Sequence, residues 1–146
     1  MWRPFLTKEE KSHIAKIIAQ AEAQTTGEIH VHIMGRARGR DMLSLAPQKF
    51  KELGLDKTLR RNGVLILISD LDHRFVIWGD EGIHAKAGQP LWENAKKTLI
   101  SYFSDRRYTQ GIEACVREVG RELAAHFPKT DPGPGANELP DEITES

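Results

Sequence analysis

The sequence predicts a three-layer α/β/α sandwich on a small mixed β-sheet, and three observations carry that prediction. Gly63-Val64-Leu65-Ile66-Leu67-Ile68-Ser69 is apolar almost without interruption, as a central strand covered on both faces must be. A helical pattern separates it from an earlier alternating stretch, Glu28 to Met34, and a helix between two strands implies a parallel crossover. Only a short polar turn, Asp70 to His73, precedes Arg74-Phe75-Val76-Ile77-Trp78, so the third strand folds back antiparallel as a hairpin partner.

The elements follow in order. Thr7 and Glu10 form a T-x-x-E capping box, which satisfies amide groups at a helix start. Ile14, Ile17, Ile18 and Ala21 then recur at helical spacing, with Gly27 as the stop and Lys8, Glu9, Lys11, Lys16 and Glu22 as the solvated face. In Glu28–Met34, Ile29, Val31 and Ile33 alternate with Glu28, His30 and His32, the period of a half-buried strand. A basic loop, Gly35 to Arg40, leads to a helix carrying Met42, Leu45, Ala46, Phe50 and Leu53. Its start is open: Asp41 can cap it, but Pro47 fits the first turn of a helix beginning near Ser44 better. After the hairpin, a helix from about Pro90 shows Leu91, Trp92, Ala95, Leu99 and Phe103, with proline in the permitted first turn. Thr109 caps a last helix with Ile112, Cys115, Val116, Val119 and Leu123, ending near Phe127-Pro128.

With 146 residues, 29% charged and 39% hydrophobic, the chain reads as one soluble domain over residues 1–127. Residues 128–146 form an acidic, Pro/Gly-rich tail, expected to be flexible around Pro132-Gly133-Pro134-Gly135. The tail carries a net −4 and the body +4, too weak a basic field for a nucleic-acid partner. No apolar run approaches the roughly 20 residues of a membrane span, and the N-terminus lacks a signal-peptide core, so a cytoplasmic location is expected. Cys115 is the one cysteine; it excludes an intramolecular disulfide and reads as a buried thiol.

The best candidate for chemistry is Asp80-Glu81 between Gly79 and Gly82 at the hairpin's exit. Glycines permit a sharp turn and close ligand approach, and paired carboxylates offer the hard oxygen ligands of calcium or magnesium. The plain alternative is a turn with two solvated acids. The topology returns this exit beside Arg61 and Asn62, and a parallel first strand opens there with Glu28. Asp70-Leu71-Asp72 is a second acidic pair at the hairpin tip, and Asp41 belongs to that opposite end. His30-Val31-His32 places two imidazoles on one strand face, a metal arrangement if His73, His84 or a carboxylate joins, or merely polar residues on an edge strand. Arg36, Arg38, Arg40, Lys57, Arg60 and Arg61 can serve phosphate or simply face solvent. Nucleotide-binding glycine motifs are absent.

Taken together, the pieces resemble the TPM-domain family, named for thylakoid lumen, phosphatase and membrane proteins. The resemblance runs from about Leu6 to Phe127. It is carried by Thr26-Gly27-Glu28-Ile29, Asp41 with Ala46 and Phe50, Arg61-Asn62-Gly63-Val64-Leu65, Arg74, Gly79-Asp80, Gly82-Ile83 and Tyr108 with Gly111-Ile112. The ending Asn137-Glu138-Leu139-Pro140-Asp141-Glu142-Ile143 is similar to the soluble bacterial branch. Many relatives carry a signal peptide and a membrane anchor, neither of which is expected here from these residues. The resemblance implies a sandwich that binds calcium or magnesium at an acidic cleft, with a weak acid-phosphatase activity attributed to some members. It points to Asp80 first, then Glu28 and Asp41, as ion ligands. In such a reaction Arg61 would stabilise developing charge. The rival reading is a non-enzymatic module that recruits a protein partner through its acidic tail or an exposed helix.

Overall fold

The computed structural model describes residues 5–129 and 143–146. Four strands, β1 (Glu28–Met34), β2 (Gly63–Ser69), β3 (Arg74–Gly79) and β4 (Ile143–Glu145), form one sheet in the order β3-β2-β1-β4. β1 and β2 are parallel, with Glu28 opposite Gly63 and Met34 opposite Ser69. β2 and β3 are the expected antiparallel hairpin, Val64 facing Gly79 and Ser69 facing Arg74. Both faces of β2 are covered. Val64, Ile66 and Ile68 pack with Ile29, Val31 and Ile33 beneath α1 (Lys8–Glu22), α4 (Gln89–Ser104) and α5 (Tyr108–His126). Leu65 and Leu67 pack on the other side against Leu45, Ala46 and Phe50 of α2 (Met42–Glu52) and Leu55 of a short 3-10 turn. The structure is thus the predicted α/β/α sandwich with a mixed sheet.

Local sequence explains most helix ends. The capping box forms as read: the Glu10 amide donates to Thr7 Oγ1 at 3.1 Å, and the Thr7 amide donates to Glu10 Oε1 at 2.8 Å. α2 begins at Met42, with Asp41 as its cap accepting from the Leu43 amide at 3.3 Å. Pro47 therefore lies inside the helix. It does so on the solvent side, where its ring meets no core neighbour although it cannot donate to the Leu43 carbonyl. α5 begins at Tyr108, one residue before Thr109. Thr109 does not cap it; its hydroxyl donates to Glu10 Oε2 at 2.6 Å and ties α5 to the start of α1.

Three features depart from the sequence expectation. A short helix, α3 (Glu81–Ala87), follows β3 directly, so Asp80 is a helix cap rather than part of an open loop. Glu22 is buried, 4% exposed, instead of lying on the solvated face of α1. Its Oε2 accepts from the Ile29 amide at 2.7 Å and fixes the entry to β1. The third departure is the C-terminal tail. Its Pro/Gly stretch lies outside the described residues, but Ile143–Glu145 is a strand parallel to β1, with Val31 opposite Ile143 and Ile33 opposite Glu145. The tail's end is part of the sheet, and β1 is consequently an interior strand.

Candidate functional site

The acidic exit of the hairpin closes on a single cation. Asp80 Oδ2 accepts from Arg61 Nε at 2.7 Å and Oδ1 accepts from Arg61 Nη2 at 2.9 Å, a bidentate fork. Glu81 Oε1 joins from the other side, 3.3 Å from Arg61 Nη1. Asp80 Oδ1 also accepts from the Glu81 amide at 2.8 Å, capping α3. The Asp80 side chain is 7% exposed, that of Arg61 44% and that of Glu81 74%. Asp80 is thus the buried anchor, and Arg61 and Glu81 form its outer rim. The hydrogen bonds it donates to Asp80 raise the already high affinity of the Arg61 guanidinium for its proton. Arg61 itself sits in left-handed backbone, φ 51°, a conformation that costs a non-glycine residue about 1 kcal/mol. Its carbonyl accepts from the Gly82 amide at 2.8 Å, so both ends of the residue are tied to the exit.

Glycines frame this site for reasons of space. Neither Gly79 nor Gly82 adopts positive φ. A Cβ on Gly82 would stand 2.3 Å from the Arg60 carbonyl oxygen and 2.5 Å from that of Arg61. One on Gly79 would stand 2.1 Å from the Trp92 ring. The first glycine lets the loop before β2 press against α3; the second seats an indole beside Asp80. Trp92 Nε1 donates to His84 Nδ1 at 2.8 Å, and the two rings stack at 6.4 Å. With Trp78, Gln89 and Leu43 they wall a cavity of about 450 Å³ whose acidic end is Asp80 and Glu81. From sequence alone His84 is a possible metal ligand and Trp92 an apolar helix residue; their pairing depends on α3, a helix too short to show a periodic signal.

The remaining candidates divide between the two ends of the sheet. Glu28, Gly63 and Asp80 lie in one row across three strands, since Glu28 is opposite Gly63 and the Asp80 amide donates to the Gly63 carbonyl at 2.9 Å. Asn62 is buried at the same end, with Nδ2 on Thr26 Oγ1 at 3.2 Å and Oδ1 without a partner. Asp41 does not join them: it caps α2 after the loop that follows the other end of β1. Among the described residues, no three His, Cys, Asp or Glu side chains form a group that could hold a metal ion. At the hairpin tip Asp72 has a structural task. Its Oδ2 accepts from the Ala37 amide at 2.6 Å and from Ser69 Oγ at 2.8 Å, bonds that hold its carboxyl below the usual range.

The H-x-H pair of β1 is occupied by the chain's own C-terminal strand. Thr144 Oγ1 lies 2.8 Å from His30 Nε2 and 2.6 Å from His32 Nδ1, and Ser146 Oγ lies 2.8 Å from His32 Nε2. Burial, then the charge of Lys49 and of His30, lowers the pKa of His32 to about 4. Both imidazoles are 4% exposed, whereas the alternatives read from sequence were open metal ligands or polar residues on an outer edge. Cys115 is fully buried and its thiol is pushed up by burial, as its place in a helical apolar pattern predicted.

Comparison with known proteins fits this architecture. A family profile described as the TPM domain matches residues 3–122. This chain belongs to the TPM-domain family. The TPM domain here superposes with a TM-score of 0.91 on the NMR structure of the BA42 protein from the psychrophilic bacterium Bizionia argentinensis. The two are 32% identical, with 100% of this chain and 99% of that one covered. The N-terminal domain of cg2496 from Corynebacterium glutamicum shares the fold at a TM-score of 0.66 and 14% identity, covering 81% of this chain and 74% of that one. No curated protein matches significantly. No helix among the described residues of this TPM domain is long and apolar enough to cross a membrane.

Proposed function

We propose that the Asp80 rim is a divalent-cation site at which the ion exchanges with the Arg61 guanidinium. One observation carries the reading: two carboxylates on different residues already converge on one positive group, Arg61, at the mouth of a cavity. Calcium asks for six to eight oxygen ligands, and the rim supplies two carboxylates, so it does not fit a calcium cage. It fits magnesium, which keeps several of its waters and is commonly held by one or two carboxylates. Asp80 and Glu81 would hold the ion; Glu28 is in the same row but separated from Asp80 by Gly63 of β2, and Asp41 belongs to the other end of the sheet.

The same rim supports phosphate-ester hydrolysis as the finer reading. A bound ion supplies polarisation of a phosphoryl oxygen and a better nucleophilic water. The residues of the chain contribute the rest. Arg61, 44% exposed, presents a planar fork suited to phosphoryl oxygens once it leaves Asp80. His84 Nδ1 is taken as an acceptor by Trp92 Nε1, so a neutral His84 carries its proton on Nε2, where it can donate to a leaving oxygen. Trp78 and Trp92 shield that wall from water.

Calorimetric titration of the full chain with magnesium and calcium tests the site. Weak magnesium binding that Asp80→Asn abolishes supports it; affinity unchanged by that substitution overturns it. Turnover of p-nitrophenyl phosphate that survives both chelation and Asp80→Asn overturns the hydrolytic reading alone. A protein-interaction role is favoured by a different observation. β3 is one of the two edge strands of the sheet and its outer side runs along the Trp78–Trp92 cavity, where an extended peptide can add as a strand. Partner capture that persists in Asp80→Asn and fails in Trp92→Ala would select that reading.

A further inference from the structure

A second cavity lies at the opposite end of β3, between the sheet and α4 and α5. It measures about 270 Å³ and is lined by the rings of Phe5, Phe75, Phe103 and Tyr108, with Asp70 and His73 at its polar side. The rings form one continuous wall around Phe103, whose centroid lies 5.7 Å from Phe75, 5.2 Å from Tyr108 and 6.3 Å from Phe5, all edge to face. Asp70 opens the turn after β2, two residues beyond Ile68 of the core under α4 and α5. Its Oδ1 is shut away from solvent and has no hydrogen-bond partner. Among the described residues it forms no ion pair; Lys11, near the same end, is bound to Glu145 at 2.7 Å.

Asp70 is half-buried at the cavity's polar side and meets no cationic side chain in an ion pair among the described residues, and aromatic faces are electron-rich. Both attract a positive charge, and the apolar walls ask for that charge on a carbon framework rather than on a hydrated metal ion. We propose that this cavity binds a small organic ammonium ion, its head against Asp70 and its alkyl groups on the ring wall of Phe5, Phe75, Phe103 and Tyr108. The state of Asp70 agrees with the geometry. Burial raises its carboxyl pKa, the Leu71 and Asp70 amides oppose the rise, the charge of Glu145 adds to it, and His73 counters it. A bound cation would draw that value back down. The inference is independent of the Asp80 rim, which lies at the other end of the strand.

The full chain titrated with choline and with its uncharged isostere 3,3-dimethylbutan-1-ol, read by amide and aromatic NMR shifts, tests the proposal. Choline is expected to shift Asp70, His73, Phe75 and Tyr108 saturably, with an affinity about tenfold or more above that of the alcohol, and to lower the Asp70 pKa. Asp70→Asn should erase the preference while resonances around Asp80 stay in place. Equal affinity for the two probes overturns the proposal, as does the absence of saturation by choline. A choline preference that persists in Asp70→Asn overturns it too. The comparison of probes on the unaltered protein decides the question even where the variant folds poorly.

Discussion

Gly82 is the residue on which the candidate site turns. A side chain there has nowhere to go, because the atoms it would meet at 2.3 and 2.5 Å are backbone oxygens. Gly82→Ala is therefore expected to destabilise the domain by about 3 kcal/mol or more, at the overpacking end of core substitutions; chemical denaturation checks this. Gly79→Ala meets the far edge of the Trp92 ring instead, which can swing away. It should cost less and move the tryptophan emission as the Trp92–His84 bond breaks. If both substitutions cost the same, the spatial account of the two glycines is wrong. The pair Gly79 and Gly82 was legible in the sequence as a frame around two acids, but the physical reason was not. A sharp turn and ligand access were the natural reading; close packing against the Arg60–Arg61 backbone and Trp92 depends on residues 13 to 22 positions away in the chain.

At the scale of elements, periodicity made β1, α1, α2, α4 and α5 readable, an uninterrupted apolar run marked β2 with β3 as its hairpin partner, and Thr7 to Glu10 gave one helix start to the residue. α3 and β4 were not readable in this way. α3 has seven residues, too few for an apolar repeat, and its cap is the same Asp80 that drew attention as a metal ligand. β4 has three residues, and its place depends on Thr144 and Ser146 meeting His30 and His32 across more than 110 positions. That contact has a pH signature. The pKa of His32 is about 4 in the fold against an ordinary 6.5, so the unfolded chain takes up its proton first on acidification. The His32 contribution is complete above about pH 6.5 and is lost as pH falls toward 4. Denaturation midpoints should drop between pH 7 and pH 5 in the full chain, and less in His32→Gln. Removing residues 143–146 should let His32 titrate closer to 6.5 by NMR. An unchanged His32 titration after that truncation contradicts the docking of β4 on the two imidazoles.

The molecule as a whole is organised by one sheet with two chemically different ends. At the end where β3 exits, Asp80, Arg61 and Glu81 make a charged rim beside an indole-walled cavity. At the hairpin tip, Asp72 is spent on holding the loop after β1, and Asp70 borders an aromatic cavity. The sequence topology already separated these ends, because parallel β1 and antiparallel β3 leave no other arrangement. It could not show that Asp80 is engaged by Arg61, since the fork depends on the left-handed backbone of a single residue. Membership of the TPM family adds the fold at full length, and the chemistry of the rim is argued from these side chains. The central claim is that a divalent cation competes with Arg61 for Asp80 and Glu81. Arg61→Gly tests it most directly, because glycine accepts the φ of 51° without strain and removes the guanidinium alone. Magnesium titration of this variant by calorimetry should show affinity about three- to tenfold above that of the unaltered chain, the gain expected from releasing a partly exposed ion pair. Equal or weaker magnesium binding by Arg61→Gly would contradict the account.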